Sequence, residues 1–308
     1  MAIRIRFWGV RGSIPCPGPE TVKYGGNTAC IELRFGQEER LIIIDAGSGI
    51  RALGNELLKN DLPKGPIQTS IFFTHTHWDH IMGFPFFAPI YIPKTELTIY
   101  GPVTYEEDTL DKIIGSQLRY RYFPVRQSEL AADIKYVQLK ECRLDLGDGI
   151  KVTTKYLNHP ILCLGYRFEY GGKVFCTVFD TEPFRNVFAL DPSSPDFDEE
   201  AFKEGELAAR QENEKIIRFI YGADLCVYDT QYTYKEYISS KLGWGHTSFE
   251  DAINTANRAR VKQLLFFHHE PLRKDEELDR LVANYQKRIA GKTDLRIAAA
   301  YEGLVITL

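Results

Sequence analysis

Residues 74–80, THTHWDH, gather three of the chain's seven histidines and an aspartate directly behind the apolar run SIFF. Neutral imidazole and carboxylate form the donor set that suits Zn²⁺, Mn²⁺ or Fe²⁺. His75 and His77, two positions apart, can reach one ion from an extended backbone. Asp79 and His80 leave the next turn at a different angle and can serve a second. Without a cation, three imidazoles crowded against a carboxylate would repel on protonation. The remaining histidines occupy three short places: His159 in LNHP, His246 in GWGHTS, and His268 with His269 in FFHHEP. Asp180 closes the strand-like run KVFCTVFD, where an isolated buried carboxylate would be costly without a cation. His159, Asp180 and His268 are therefore the candidates for the ligands that must come from afar.

These residues need strands that end at one place. Runs with strand character recur in the first hundred residues (AIRIRFW, ACIELRF, RLIIIDAG, TSIFFTH, ELTIYG), with a helical SGIRALGNELLKN after the third. IKVTTKYL and GYRFEYGGKVFCTVFD follow, the latter split by Gly171-Gly172, which predicts a hairpin. DLCVYDTQY and VKQLLFFHH flank a helix expected to open on the capping box Thr247-x-x-Glu250. A helix over DEELDRLVANYQKRI and two strands, LRIAAAYEG and LVITL, close the chain. Strands with helices interspersed in both halves predict two packed sheets with helices outside. The expectation is one domain over 1–308, with surface insertions at 103–140 and 183–220.

Composition excludes several classes. With 44% hydrophobic and 13% aromatic residues the chain can bury a sizeable core, and its net charge of −4 supplies no bulk basic field for nucleic acid. The N-terminal MAIRIRFWGV lacks the apolar core of a signal peptide, and no apolar stretch approaches the roughly 20 residues of a membrane span. A cytoplasmic protein without membrane partners is expected. Six scattered cysteines without a CxxC pair predict buried free thiols.

The HxHxDH pattern of His75, His77, Asp79 and His80 resembles the hallmark of the metallo-β-lactamase fold superfamily. LIIIDAGSG is similar to that family's first motif, His159 to its third, Asp180 to its bridging aspartate and His268 to its last metal histidine, in preference to His269. The resemblance implies an α+β fold, a four-layer αββα sandwich. It implies His75, His77 and His159 on one ion, Asp79, His80 and His268 on the other, Asp180 between them, and Asp45 behind the ligands. Two divalent ions follow, zinc first, with manganese or iron as alternatives. The later segment ADLCVYDTQY…GWGHTSFEDA looks like ribonuclease Z and its phosphodiesterase relatives, and FWGVRGSIPCPG…YGGNTAC resembles the phosphoribosyl cyclic phosphodiesterases. Asp229 stands where the ribonucleases usually carry glutamate, and the long tRNA-gripping arm is not recognisable.

The expected chemistry is hydrolysis of a small cyclic or nucleotide-like phosphodiester. Two ions about 3.5–4 Å apart would share a water and turn it into a bridging hydroxide aimed at phosphorus. Asp79 counts among the catalytic groups as well as the ligands. His246, oriented by Asp229, would protonate the departing alkoxide. Arg11 and Asn27, in glycine-rich loops expected near the metal mouth, would meet the substrate, and LRYRYFPVR mixes arginine with rings that could stack a base. Processing of tRNA 3′ ends, lactone or thioester hydrolysis, and a non-enzymatic metal-sensing module are the alternatives. RNA is a less favoured partner than a small diester, and a homodimer is an admissible assembly.

Overall fold

A computed structural model describes residues 2–104, 108–188, 191–193 and 195–308. Two seven-stranded sheets face one another. The first contains β1 (Ile3–Gly9), β2 (Cys30–Phe35), β3 (Arg40–Ile44), β4 (Gln68–Phe72), β5 (Glu96–Pro102) and β6 (Asp133–Leu139). The second contains β7 (Arg143–Asp145), β8 (Lys151–Leu157), β9 (Cys163–Tyr170), β10 (Lys173–Val178), β11 (Leu225–Asp229), β12 (Gln263–Phe267) and β13 (Arg296–Ala299). The final strand, β14 (Val305–Thr307), crosses back to the first sheet and pairs with β1, giving the orders β14-β1-β2-β3-β4-β5-β6 and β13-β12-β11-β10-β9-β8-β7.

Three apolar clusters define four layers. Ile5, Phe7, Leu33, Ile44 and Phe72 of the first sheet meet Val152, Tyr166, Phe168 and Phe175 of the second. Outside the first sheet, Leu53 and Leu57 of α1 (Ile50–Asn60) pack on Ile43, Ile71 and Ile99, followed by the short α2 (Trp78–Ile81) and α3 (Leu110–Ser116). Outside the second sheet lie α4 (Glu199–Phe219), the single turn α5 (Tyr234–Glu236), α6 (Phe249–Arg258) and α7 (Asp275–Ile289), covering Cys176, Val178, Leu264 and Phe266. This is the αββα sandwich. Both faces of the central strands are buried, which is why they read as continuous apolar runs rather than alternating ones.

The pattern-based expectations meet three differences. Residues 133–139 pair with β5 over seven positions, so this part of the expected 103–140 insertion is an edge strand of the sheet. Its alternation is masked because as an edge strand it buries little beyond Leu139. The end of the 183–220 segment packs Ile216, Ile217 and Phe219 into the outer core. The helix expected to start at the Thr247 box begins one residue later: Ser248 caps it by accepting from the Asp251 amide, while Glu250 accepts from the Tyr234 amide. The hairpin lies where expected, with Gly171 and Gly172 at φ 56° and 76°, as a two-residue turn of the mirror type requires. All six cysteines are free thiols, four of them buried. No described helix is long and apolar enough to cross a membrane.

Candidate active site

Strand β3 runs parallel to β4 in one sheet, and β10, β11 and β12 run parallel to one another in the other, so the loops beyond their carboxyl ends emerge at one edge of the sandwich. Asp45 follows β3, Thr74 to His80 follow β4, Asp180 follows β10, Asp229 ends β11, and His268 follows β12. His159 comes from the loop beyond β8. Asp45, Asp180 and His268 all hold positive φ, at 58°, 39° and 60°. Left-handed backbone at three non-glycine residues costs free energy and turns each side chain sharply off its strand towards the same point.

Three overlapping donor sets result. His75, His77, His159 and Asp180 form one, Asp79, His80, Asp180 and His268 a second, and Asp180, Asp229, His246 and His268 a third, the ligand atoms in each lying within 4.8 Å of one another. Asp180 belongs to all three, and the first two match the expected ligand sets. The hydrogen bonds fix which ring nitrogens face inward. His80 Nδ1–H donates to Asp45 Oδ2 at 2.7 Å, leaving Nε2 facing Asp79 and Asp180 at 3.3 Å each. His159 Nδ1–H donates to the Gly245 carbonyl at 3.0 Å, leaving Nε2 3.0 Å from His77 Nδ1. His80 Nε2 and His268 Nε2 are 3.2 Å apart. His75 Nε2 and Asp180 Oδ1 are buried with no hydrogen-bond partner. Lone pairs aimed at one another in a dry cluster, with orphaned donors among them, fit divalent cations.

Protonation agrees. Burial, reinforced by the charge on His80, holds His75 well below its ordinary pKa, and burial brings His159 down to about 4, so both are neutral and ready to ligate near neutrality. Burial alone would also depress His80, but Asp180, Asp79 and Asp45 outweigh it and lift its pKa well above the ordinary value. A proton there does the work a cation would do, and binding of a metal would displace it.

Behind the donors sits a supporting shell. Asp45 also accepts from the Thr74 amide at 2.7 Å and the Thr74 hydroxyl at 2.8 Å. The Ser13 amide donates to Asp79 Oδ2 at 2.7 Å, and Gln231 meets His268 Nδ1 at 3.2 Å. These three partners are ordinary residue types without a spacing signature; only the period of two from Asp229 to Gln231 points to the latter. Gly12 is required by close approach, since a Cβ there would stand 2.5 Å from the His268 ring.

His246, of the third set, stands beside the other two, its ring centroid 5.0 Å from that of His268 and 5.6 Å from that of His159. Its Nδ1 bonds the fully buried Asp229 Oδ2 at 2.9 Å. Burial opposes the charged ring, but the Asp229 carboxylate prevails and pushes the His246 pKa up to about 9. His269, by contrast, turns away, accepting no part in the cluster and donating to the Ala300 carbonyl at 2.8 Å. The residues expected to meet the substrate are engaged within the protein. Arg11 is 0% exposed, with its guanidinium donating to the carbonyls of Gly25 and Arg273 at 2.8 Å and of Glu270 at 3.2 Å. Asn27 spends its amide on Glu302 and Ser48. Both residues tie loops together, because a glycine-rich backbone lying close to its neighbours offers carbonyls that need donors.

A sequence model of the beta-lactamase superfamily domain matches residues 40–191. Ribonuclease Z of Lactococcus lactis subsp. lactis (strain IL1403) is 28% identical over 272 residues, covering 79% of this chain and 83% of that protein. Among solved structures, the metallo-beta-lactamase fold protein YhfI from Bacillus subtilis superposes with a TM-score of 0.64 at 16% identity, covering 100% of both chains. A diphosphatase of the PhnP family superposes at 0.59 and 14% identity, covering 99% of this chain and 97% of that one. Residues 40–191 carry the beta-lactamase superfamily domain, the fold around them is the metallo-β-lactamase sandwich, and the protein is a hydrolase.

Proposed function

We propose that the protein is a two-metal phosphodiesterase acting on a small cyclic or nucleotide-like phosphodiester. His75, His77, His159 and Asp180 would hold one ion, and Asp79, His80, His268 and the shared Asp180 the other; zinc is the first choice and manganese or iron the alternatives. When bound, such ions supply Lewis acidity and a nucleophile at neutral pH. The observation that carries the reading is the His246–Asp229 pair. A buried imidazole held by a carboxylate keeps its proton near neutrality, and its ring lies 5.0 Å from that of His268 and 5.6 Å from that of His159. That proton is what a departing alkoxide needs and what acyl transfer to a good leaving group does not. Asp229 fixes the tautomer and offsets the charge on the ring. Similarity to a ribonuclease Z, a phosphodiester-cleaving relative by name, supports the same bond type.

The test is metal analysis beside a hydrolysis panel: bis-p-nitrophenyl phosphate, 2′,3′- and 3′,5′-cyclic nucleotides, a phosphoribosyl cyclic phosphate, precursor tRNA and a lactone. Turnover of a small diester is expected; turnover of the lactone alone would refute the reading. The relatives favour tRNA 3′-end processing as a second reading. It predicts cleavage of precursor tRNA with an affinity that falls steeply with salt.

A further inference from the structure

The chain has three tryptophans. Trp8 is fastened, its indole N–H donating to Glu32 at 2.8 Å and its ring covered by Arg6 at 4.0 Å. The other two are 74% exposed (Trp78) and 56% exposed (Trp244), and neither indole N–H donates a hydrogen bond among the described residues. Both are chain neighbours of the donor cluster. Trp78 stands between His77 and Asp79 at the start of α2. Trp244 precedes Gly245, whose carbonyl accepts from His159, and His159 in turn meets His77 at 3.0 Å. Each indole is thus one residue along the chain from the cluster, Trp78 beside His77 and Trp244 beside Gly245, which holds His159. Exposed indole surface is expensive in water, and its place in two segments that carry the donor cluster gives it an occupant in the reaction, even with Lys241 over the Trp244 ring.

A cation completes the arrangement. Lys241 closes the π-turn Tyr237–Lys241, and its Nζ lies 3.7 Å from the Trp244 ring centroid and 5.5 Å from that of Tyr232. No carboxylate pairs with it among the described residues, and Tyr232 packs against His246 at 6.2 Å. A half-buried ammonium with rings for neighbours and no acid is available to an incoming anion.

We infer that Trp78, Trp244 and Lys241 form a base-and-phosphate recognition site at the mouth of the centre, selecting phosphodiesters that carry a nucleobase over sugar or alkyl diesters. The rings stack the base, and Lys241 meets the phosphate. This rests on the phosphodiesterase reading. Calorimetric titration of the metal-replete protein with adenosine 5′-monophosphate and with ribose 5-phosphate isolates the contribution of the base. The nucleotide should bind tighter by roughly tenfold or more, the scale of stacking one base on an aromatic side chain. Trp78→Ala or Trp244→Ala should bring the nucleotide down towards the sugar phosphate with metal content unchanged, and Trp244→Phe should restore most of the preference. Lys241→Gln should weaken both ligands alike. A short single-stranded oligonucleotide separates the sources: affinity equal to the mononucleotide assigns a free nucleotide, and tighter, salt-sensitive binding assigns a strand end. Equal affinity of the wild type for both small ligands, or a preference that survives both alanine variants, would overturn the inference. Base-selective binding without diester turnover would instead remove the phosphodiesterase reading, and turnover without base selectivity would remove this site alone.

Discussion

His80 Nδ1 lies 2.7 Å from Asp45 Oδ2, with both side chains fully buried and the carboxylate also accepting twice from Thr74. That bond decides which nitrogen of His80 faces the donors. Asp45→Asn should weaken metal binding by about 10–100-fold, the usual cost of losing such an orienting partner. Competitive chelator titration with Zn²⁺ checks it, and unchanged affinity would make Asp45 merely a packing residue.

His246→Ala should leave metal content intact and slow cleavage of diesters with alkoxide leaving groups by about 10²–10⁴-fold. Bis-p-nitrophenyl phosphate should suffer far less, because p-nitrophenolate departs without a proton. Equal losses on both substrates would remove His246 from proton transfer.

In the metal-free protein, His246 should titrate near pH 9 by NMR. The pKa is raised on folding, so the pairing with Asp229 stabilises the fold fully below the unfolded value of about 6.5 and that contribution is lost as pH rises through about 9. Asp229→Asn should bring the titration back towards the ordinary range. A His246 titration unmoved by that substitution would contradict the pair.

Arg11→Met should lower stability by about 3 kcal/mol, since it strips donors from three carbonyls in a closed interior. The KM of the properly folded fraction should not move. Chemical denaturation and kinetics together distinguish this anchoring role from a substrate contact.

The centre was legible in the sequence because its chemistry is concentrated. THTHWDH, the carboxylate after KVFCTVF and the histidine after QLLFF announce themselves by residue type at the ends of apolar runs. The sandwich was legible for the same reason, as long as strands were buried on both faces. Legibility failed where a position is defined by what it touches across space. β6 reads as polar because it lies at a sheet edge. Arg11 reads as an anion binder until its three carbonyl partners are seen. Ser13 has no local pattern and Gln231 only its spacing from Asp229, because each is recruited by a ligand from a distant strand.

The central claim is that Asp180 joins two cation sites built from separate strand ends. Metal stoichiometry of the purified, metal-replete protein, read alongside that of Asp180→Ala, tests it most directly. The account predicts two ions per chain in the wild type and weakened occupancy of both sites in the variant. One ion or none in the wild type, or loss confined to a single site in Asp180→Ala, would contradict it.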